Sequence, residues 1–194
     1  MVERLVIRGG RQLKGTVKIS GAKNAALPIM AATLLAEGKS ILHRVPNLRD
    51  IRMMQKILCG IGASAVRDGG SLTVDAETVA STVVGEQLSR EMRASVFLMG
   101  ALLARCGEVT VAYPGGCAIG PRPIDLHLKA LEKMGAHITE EHGTVRLTAK
   151  KLVGAEVQFD FPSVGATENA LLAGVLADGV TVLRNVAREP EIVD

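Results

Sequence analysis

Three stretches of the chain share one pattern of apolar and polar positions. LLAEGKSILHRV (34–45), LLARCGEVTVAY (102–113) and VLADGVTVLRNV (175–186) each read as a helix end, a glycine, then an alternating strand. The marker glycines, Gly38, Gly107 and Gly179, recur about 70 residues apart. Ahead of each stands a helix that is apolar nearly all round, over 24–37, 91–105 and 168–178. A helix without a polar face is expected to be buried on every side. A second, amphipathic helix follows the strand, over 48–60 in the first unit and 124–134 in the second. Both lead into similar phrases, GIGASAVRDGGSLTV (60–74) and KMGAHITEEHGTVRL (133–147). Each reads as a glycine stop, a strand, a turn and a strand, with turns at Asp68-Gly69-Gly70 and His142-Gly143. The third unit reaches Glu189-Pro190-Glu191-Ile192, the expected start of its second helix.

This pattern predicts an α/β fold of three equivalent units, about 20–80, 88–150 and 160–194, the third incomplete. The apolar helices are expected to pack together inside, with the sheets and amphipathic helices outside. The incomplete third unit also leads us to expect that the natural chain continues. Chance similarity of Leu/Ala-rich helices is the competing reading; the glycine, strand and second helix recurring in order argue against it.

Composition narrows the picture. Hydrophobic residues make up 47% of the 194 and aromatic ones only 2%, so the core is expected to be aliphatic and Met. A net charge of +3, one Tyr (Tyr113) and no Trp give no case for nucleic acid as a partner. The opening MVERLVIRGG is charged too early for a signal peptide, and the apolar run 94–104 is too short to span a bilayer. Three cysteines without regular spacing fit a reducing, cytoplasmic setting better than a disulfide framework.

Chemistry is expected at the helix starts, whose free N–H groups and partial positive charge suit phosphates and carboxylates. Lys23, within Gly-Ala-Lys-Asn before the first apolar helix, and Arg93, near the second, would add cations. The plainer readings are a solvated surface lysine and a structural ion pair. Ser163-Val164-Gly165 opens the third apolar helix and reads equally as an N-cap.

The densest signal is Tyr113-Pro-Gly-Gly-Cys117-Ala-Ile-Gly-Pro-Arg122-Pro123-Ile124-Asp125-Leu126-His127. A loop so rich in Gly and Pro is expected to be exposed. A thiol close to Arg122 and to a helix start is biased towards thiolate, which makes Cys117 the candidate reactive group. Cys59 and Cys106, on helices, are expected to be core. His43, His127, His137 and His142 show no ligand spacing and no Cys-x-x-Cys occurs, so a metal site is not expected. No hydrolase elbow or Walker-type loop occurs either.

At SGAKNAALPIMAATLLAEG (20–38), REMRAS (90–95), PGGCAIGPRPIDLHL (114–128) and PSVGATEN (162–169) the chain resembles the UDP-N-acetylglucosamine 1-carboxyvinyltransferases. These are enolpyruvyl transferases of the EPSP synthase-like superfamily that open peptidoglycan synthesis. The resemblance covers essentially the whole chain. It implies an inside-out α/β barrel domain of three βαβαββ-type units, helices inside, in a two-domain protein about twice this length. Residues 1–19 would form a strand region pairing with the missing C-terminal domain.

The implied reaction moves the enolpyruvyl group of phosphoenolpyruvate onto the 3-hydroxyl of UDP-N-acetylglucosamine, with no metal or organic cofactor. By resemblance, Cys117 would protonate the methylene carbon or form an adduct there, and would be the residue alkylated by fosfomycin. Lys23, Asn24 and Arg122 would hold phosphoenolpyruvate. Arg93 would bind the nucleotide sugar, Arg122, Pro123, Ile124, Asp125 and Leu126 the uridine, and Ser163, Val164 and Gly165 the diphosphate.

One departure stands out. Where some members carry a lysine two places before the serine of the S-V-G run, this chain has Phe161. In the family the carboxylate that deprotonates the sugar hydroxyl lies in the second domain, so this chain is expected to be inactive alone. The competing readings are a 3-phosphoshikimate enolpyruvyl transferase, which the cysteine loop does not suit, a non-catalytic nucleotide-sugar-binding fragment, and a thiol redox sensor, for which no resolving cysteine is evident.

Overall fold

In the computed structural model, which describes residues 4–113 and 124–194, the first regular element begins at Lys23. Cys117, Arg122 and Pro123 lie outside the described residues, as does the side chain of Arg93. In chain order the elements are α1 (Lys23–Ala32), β1 (Lys39–Leu42), α2 (Arg49–Gly60), β2 (Ser64–Asp68), β3 (Ser71–Asp75), α3 (Glu86–Glu91), α4 (Leu98–Cys106), β4 (Glu108–Ala112), α5 (Asp125–Lys133), β5 (His137–Glu141), β6 (Thr144–Thr148), β7 (Glu156–Gln158), α6 (Val164–Gly174), β8 (Val182–Arg184) and α7 (Pro190–Val193). A 3-10 turn over Thr33–Leu35 prolongs α1, and another over Arg93–Phe97 leads into α4.

The three marker glycines take φ of 86°, 78° and 94° at Gly38, Gly107 and Gly179. A side chain is strained in that left-handed region, and it is the conformation that ends a helix and redirects the chain. Gly107 caps α4 directly, whereas Gly38 and Gly179 turn the chain towards β1 and β8 after the helices before them have ended at Leu35 and Gly174. Two antiparallel sheets result, ordered β1-β3-β2 and β4-β6-β5, so the two have the same topology. Their inner faces bury Leu72 and Val74 in one and Val145 and Leu147 in the other. The β5–β6 turn holds His142 at φ 50° and Gly143 at φ 76°, the two positive values a tight hairpin demands.

β7 and β8 pair in parallel, with α6 as the crossover between them. Val83 bridges Thr110 of β4 in the same sense, across α3 and α4.

The core lies where α4 packs on α6 and α1 touches both. Leu98 through Leu103 of α4 are all buried, as the apolar pattern demands. α4 approaches α6 closely because Gly100 has no side chain: a Cβ there would sit 2.3 Å from the carbonyl oxygen of Asn169. The amphipathic helices bury one face each, Ile51, Met54, Ile57 and Leu58 on α2 and Leu126, Leu128 and Leu131 on α5.

Several expectations need correction. The second apolar helix is not continuous over 91–105; it is α3, a 3-10 turn and α4, with Met92 between them in extended conformation. The third starts four residues earlier than its apolar run, at Val164, because Ser163 caps it there. It is not buried on all sides either: Leu171, Val175 and Leu176 at its end are exposed. Its neighbouring strands are only three residues long and leave that side open. Cys59 and Cys106 are both exposed rather than core. Ile57 and Leu58 take the buried face of α2, and Cys106 is the last residue of α4, beyond its buried stretch.

Candidate functional site

The starts of α1 and α6 converge on one wall of a cavity of about 610 Å³. Lys23 and Asn24 come to it from α1, and Ser163, Val164 and Gly165 from α6. Asp50 of α2, His127 of α5, Glu168 of α6, and Glu189 and Glu191 at the start of α7 supply its other polar groups, with Met92, Val96 and Phe97 as apolar floor.

Lys23 is the first residue of α1, and no side chain caps that helix. Its Nζ donates to Asp50 Oδ2 at 2.8 Å, with the lysine side chain 43% exposed. Lys23 thus lines the cavity while its ammonium is held in an exposed ion pair. Pro28 sits within α1 and has no N–H to donate back to the Asn24 carbonyl.

The α6 start is built more firmly. Ser163 Oγ accepts from the Ala166 N–H at 3.4 Å, and Thr167 Oγ1 donates to the Ser163 carbonyl at 2.8 Å. Gly165 lets the α6 backbone approach the buried His127 ring: a Cβ would lie 3.2 Å from His127 Cε1.

The Asn169 amide fixes that ring. Its Oδ1 accepts from Gly100 N–H at 2.6 Å, so its Nδ2 is the donor both to Val96 O at 2.7 Å and to His127 Nδ1 at 3.0 Å. Nδ1 is then an acceptor, and the imidazole proton sits on Nε2.

Glu168 is 5% exposed, and among the described residues neither of its carboxyl oxygens has a hydrogen-bond partner; Glu189 Oε2 is also buried without one among them. Burial first, then the charges of Glu191 and Glu189, push the Glu168 carboxyl up to about 8. At the foot of the Gly/Pro loop, the Tyr113 hydroxyl donates to Glu140. Burial and then that bond and charge push it up to about 12. The Cys106 thiol is also pushed up, chiefly by burial of the sulfur, with Arg105 opposing and Glu108 adding.

Of the residues singled out in the sequence, the cavity brings together Lys23, Asn24, Ser163, Val164 and Gly165. Ile124 and Leu126 are buried in the hydrophobic core instead, and Asp125, in the first turn of α5, is exposed. Leu126 also borders a smaller cleft of about 210 Å³ between α5 and β7. Cys117, Arg122, Pro123 and the Arg93 side chain lie outside the described residues. Sequence reasoning missed Asp50, Glu168, Glu189 and Glu191. The signal for Glu168 was present: Thr167-Glu168-Asn169 is a polar triplet inside an otherwise apolar helix.

Phe161, where the resemblance led us to expect a lysine, is 58% exposed and lines the cavity. Among the described residues no group of three His, Cys, Asp or Glu side chains is placed to hold a metal ion, and no helix is long and apolar enough to cross a membrane.

A family model described as EPSP synthase (3-phosphoshikimate 1-carboxyvinyltransferase) matches residues 7–194. The chain belongs to the EPSP synthase family. Within the family, it is 52% identical to UDP-N-acetylglucosamine 1-carboxyvinyltransferase 1 of Symbiobacterium thermophilum, over 99% of this chain and 45% of that protein. It is 50% identical to UDP-N-acetylglucosamine 1-carboxyvinyltransferase of Magnetococcus marinus, over 100% of this chain and 46% of that one. The chain thus spans a little under half the length of these relatives. Among solved structures, the enolpyruvyl transferase NikO from Streptomyces tendae superposes with a TM-score of 0.82 at 25% identity, over 96% of this chain and 44% of NikO. EPSP synthase from Acinetobacter baumannii shares the fold at a TM-score of 0.64 and 22% identity, over 87% of this chain and 40% of that one.

Proposed function

We propose that this chain supplies one wall of a site that transfers the enolpyruvyl group of phosphoenolpyruvate to the 3-hydroxyl of UDP-N-acetylglucosamine, releasing phosphate, in the cytoplasmic opening of peptidoglycan synthesis. One observation carries the reading: the fold gathers Lys23 and Asn24 with Ser163, Val164 and Gly165, far apart in sequence, around one cavity. Two helix starts and a lysine make a cradle for phosphate-bearing ligands. Lys23 and Asn24, with Arg122, hold phosphoenolpyruvate in this reading. The α6 start takes the diphosphate, and Arg93 with the segment 122–126 takes the rest of the nucleotide sugar. In this reading Cys117 delivers a proton to the methylene carbon as the sugar oxygen, giving its own proton to a base on the second wall, bonds to the adjacent carbon; loss of a proton from the resulting methyl group with departure of phosphate then restores the double bond. The relatives at about half identity carry the sugar-nucleotide name, which favours this acceptor over 3-phosphoshikimate.

In this reading a second wall comes from the part of the relatives that this chain does not span, so we expect this chain alone to be catalytically silent. The test measures phosphate release from phosphoenolpyruvate and UDP-N-acetylglucosamine, with the chain alone and after adding the remaining half of a relative. Silence followed by restored turnover supports the proposal; turnover by the chain alone removes the two-wall argument. In the complemented enzyme, Cys117→Ala should lose roughly 10²–10⁴-fold in turnover while nucleotide-sugar binding persists. Normal turnover in that variant would remove the acid role.

A further inference from the structure

His127 lines the cavity, yet the function proposed above gives it no task. It stands in the first turn of α5 and is 4% exposed. Its ring is held from α6 by Asn169, which is wholly buried and does not itself line the cavity. The Asn169 amide reaches three different segments. Oδ1 accepts from the Gly100 N–H of α4 at 2.6 Å, and Nδ2 donates to the Val96 carbonyl at 2.7 Å and to His127 Nδ1 at 3.0 Å. The first of these bonds decides the others. An amide turned over would set its NH₂ against the Gly100 N–H, donor against donor, so only one orientation satisfies the network. Nδ2 is then the donor at His127, Nδ1 is the acceptor, and the neutral ring carries its proton on Nε2. A carboxylate in place of the amide would instead draw a proton onto Nδ1.

The packing places that proton. Gly165, on the cavity wall, lets α6 approach the imidazole: a Cβ there would stand 3.2 Å from His127 Cε1 and 3.5 Å from Nε2. Phe97 Cε1 lies 3.3 Å from the same point, so a side chain at 165 would press on both rings. Nδ1 therefore faces the buried Asn169, and the edge bearing Nε2 faces the first turn of α6 on the cavity side.

We propose that Asn169 is a positioning residue for nucleotide-sugar binding: it fixes His127 as the neutral tautomer whose Nε2 proton is presented to the ligand. Asn169 itself touches no ligand. Its amide gives the cavity a donor of fixed direction without adding a charge. That the ligand is a nucleotide sugar rests on the function proposed above; the fixed tautomer does not.

The experiment uses the chain, isotope-labelled at its histidine nitrogens, together with the remaining half of a relative. At pH 7, NMR of the wild type should show His127 with Nδ1 bare and Nε2 protonated. A proton on Nδ1, alone or with one on Nε2, overturns the proposal, and no substitution is needed to see it. Added UDP-N-acetylglucosamine should move the Nε2 signal more than that of Nδ1; an unmoved Nε2 overturns it as well. Asn169→Leu removes the amide at similar volume, and its KM for UDP-N-acetylglucosamine should rise about tenfold, the loss of roughly one hydrogen bond to a charged ligand, with smaller changes in kcat and in the KM for phosphoenolpyruvate. His127→Gln keeps an N–H donor that has no tautomer to fix, so in that background Asn169→Leu should add little to KM. Equal effects in the two backgrounds, or a fall in kcat with both KM values unchanged, would mean that Asn169 only holds the helices together, and the proposal falls. If the complemented wild type transfers nothing to the nucleotide sugar, the proposed function fails; the Nε2 response to added UDP-N-acetylglucosamine then decides this inference by itself.

Discussion

A buried acid with no donor among the described residues must show itself in folding. In the unfolded chain Glu168 returns to its ordinary value of 4.5, whereas in the fold it is held up to about 8. Between those values the folded state carries a proton that the unfolded state has lost, so raising the pH favours unfolding. The contribution is fully present below 4.5, declines through the window and is gone above 8. Urea midpoints at pH 5 and pH 8.5 should therefore fall with pH in the wild type, and clearly less in Glu168→Gln. Equal declines in the two would mean that Glu168 ionises normally.

The cysteines give a second test at this scale. Cys59 and Cys106 are both exposed, so access alone does not rank them, but the raised Cys106 thiol has less thiolate to offer. Iodoacetamide labelling at pH 7 with mass spectrometric readout should find Cys106 the slowest of the three. Cys117, near Arg122 in its Gly/Pro loop, should be the fastest. Equal rates at Cys117 and Cys106 would contradict this ordering.

The elements follow from the sequence where one residue decides the outcome. Gly107 is legible as a helix stop, and Gly38 and Gly179 as turns ahead of the next strand, because few other residues take their backbone conformation. The hairpin at His142-Gly143 is legible for the same reason. What is not legible depends on tertiary contact. The 3-10 turn over Arg93–Phe97 that splits the second apolar stretch has no punctuating Gly or Pro. The true start of α6 depends on Ser163 acting as a cap, a role that its sequence context does not separate from ligand binding. Exposure of Cys59 turns on which face of α2 meets the core, a phase that Ile57 and Leu58 settle.

The α4–α6 contact shows how strictly one position can be held. A Cβ at residue 100 would meet both the Asn169 carbonyl at 2.3 Å and its Oδ1 at 2.6 Å, and would push on the acceptor of the Gly100 N–H bond. Overpacking of this kind costs about 1–3 kcal/mol. Gly100→Ala should lose about that much stability in urea unfolding. Because Asn169 also orients His127, the variant should shift the His127 ring signals in NMR as well. Unchanged stability would mean that the two helices separate freely, contrary to their close packing.

For the whole molecule, the cationic and helix-start side of the candidate site is legible in the sequence. The Lys23-Asn24 and Ser163-Val164-Gly165 runs do share one cavity. The acids opposite them are not legible, because Glu189 and Glu191 look like the ordinary polar start of a helix, and only the fold brings them to Glu168. The same fold leaves a large apolar surface open. Leu5, Val6 and Ile7, then Leu13, Val17 and Ile19, are all at least two-thirds exposed, and Val175 and Val180 beyond α6 are similarly bare. Scattered exposed aliphatics are normal, but runs of them along one segment are the signature of a surface made to be covered. Relatives about twice as long have additional chain that is available to cover it. The isolated chain should therefore self-associate with rising concentration and bind a hydrophobic dye. Adding the remaining half of a relative should suppress both while restoring phosphate release. Leu5→Lys together with Ile7→Lys, changes at exposed positions, should lessen self-association without lowering the urea midpoint, and should also weaken complementation by the added half. Loss of self-association with complementation intact would show that this segment is sticky but is not where the second half docks.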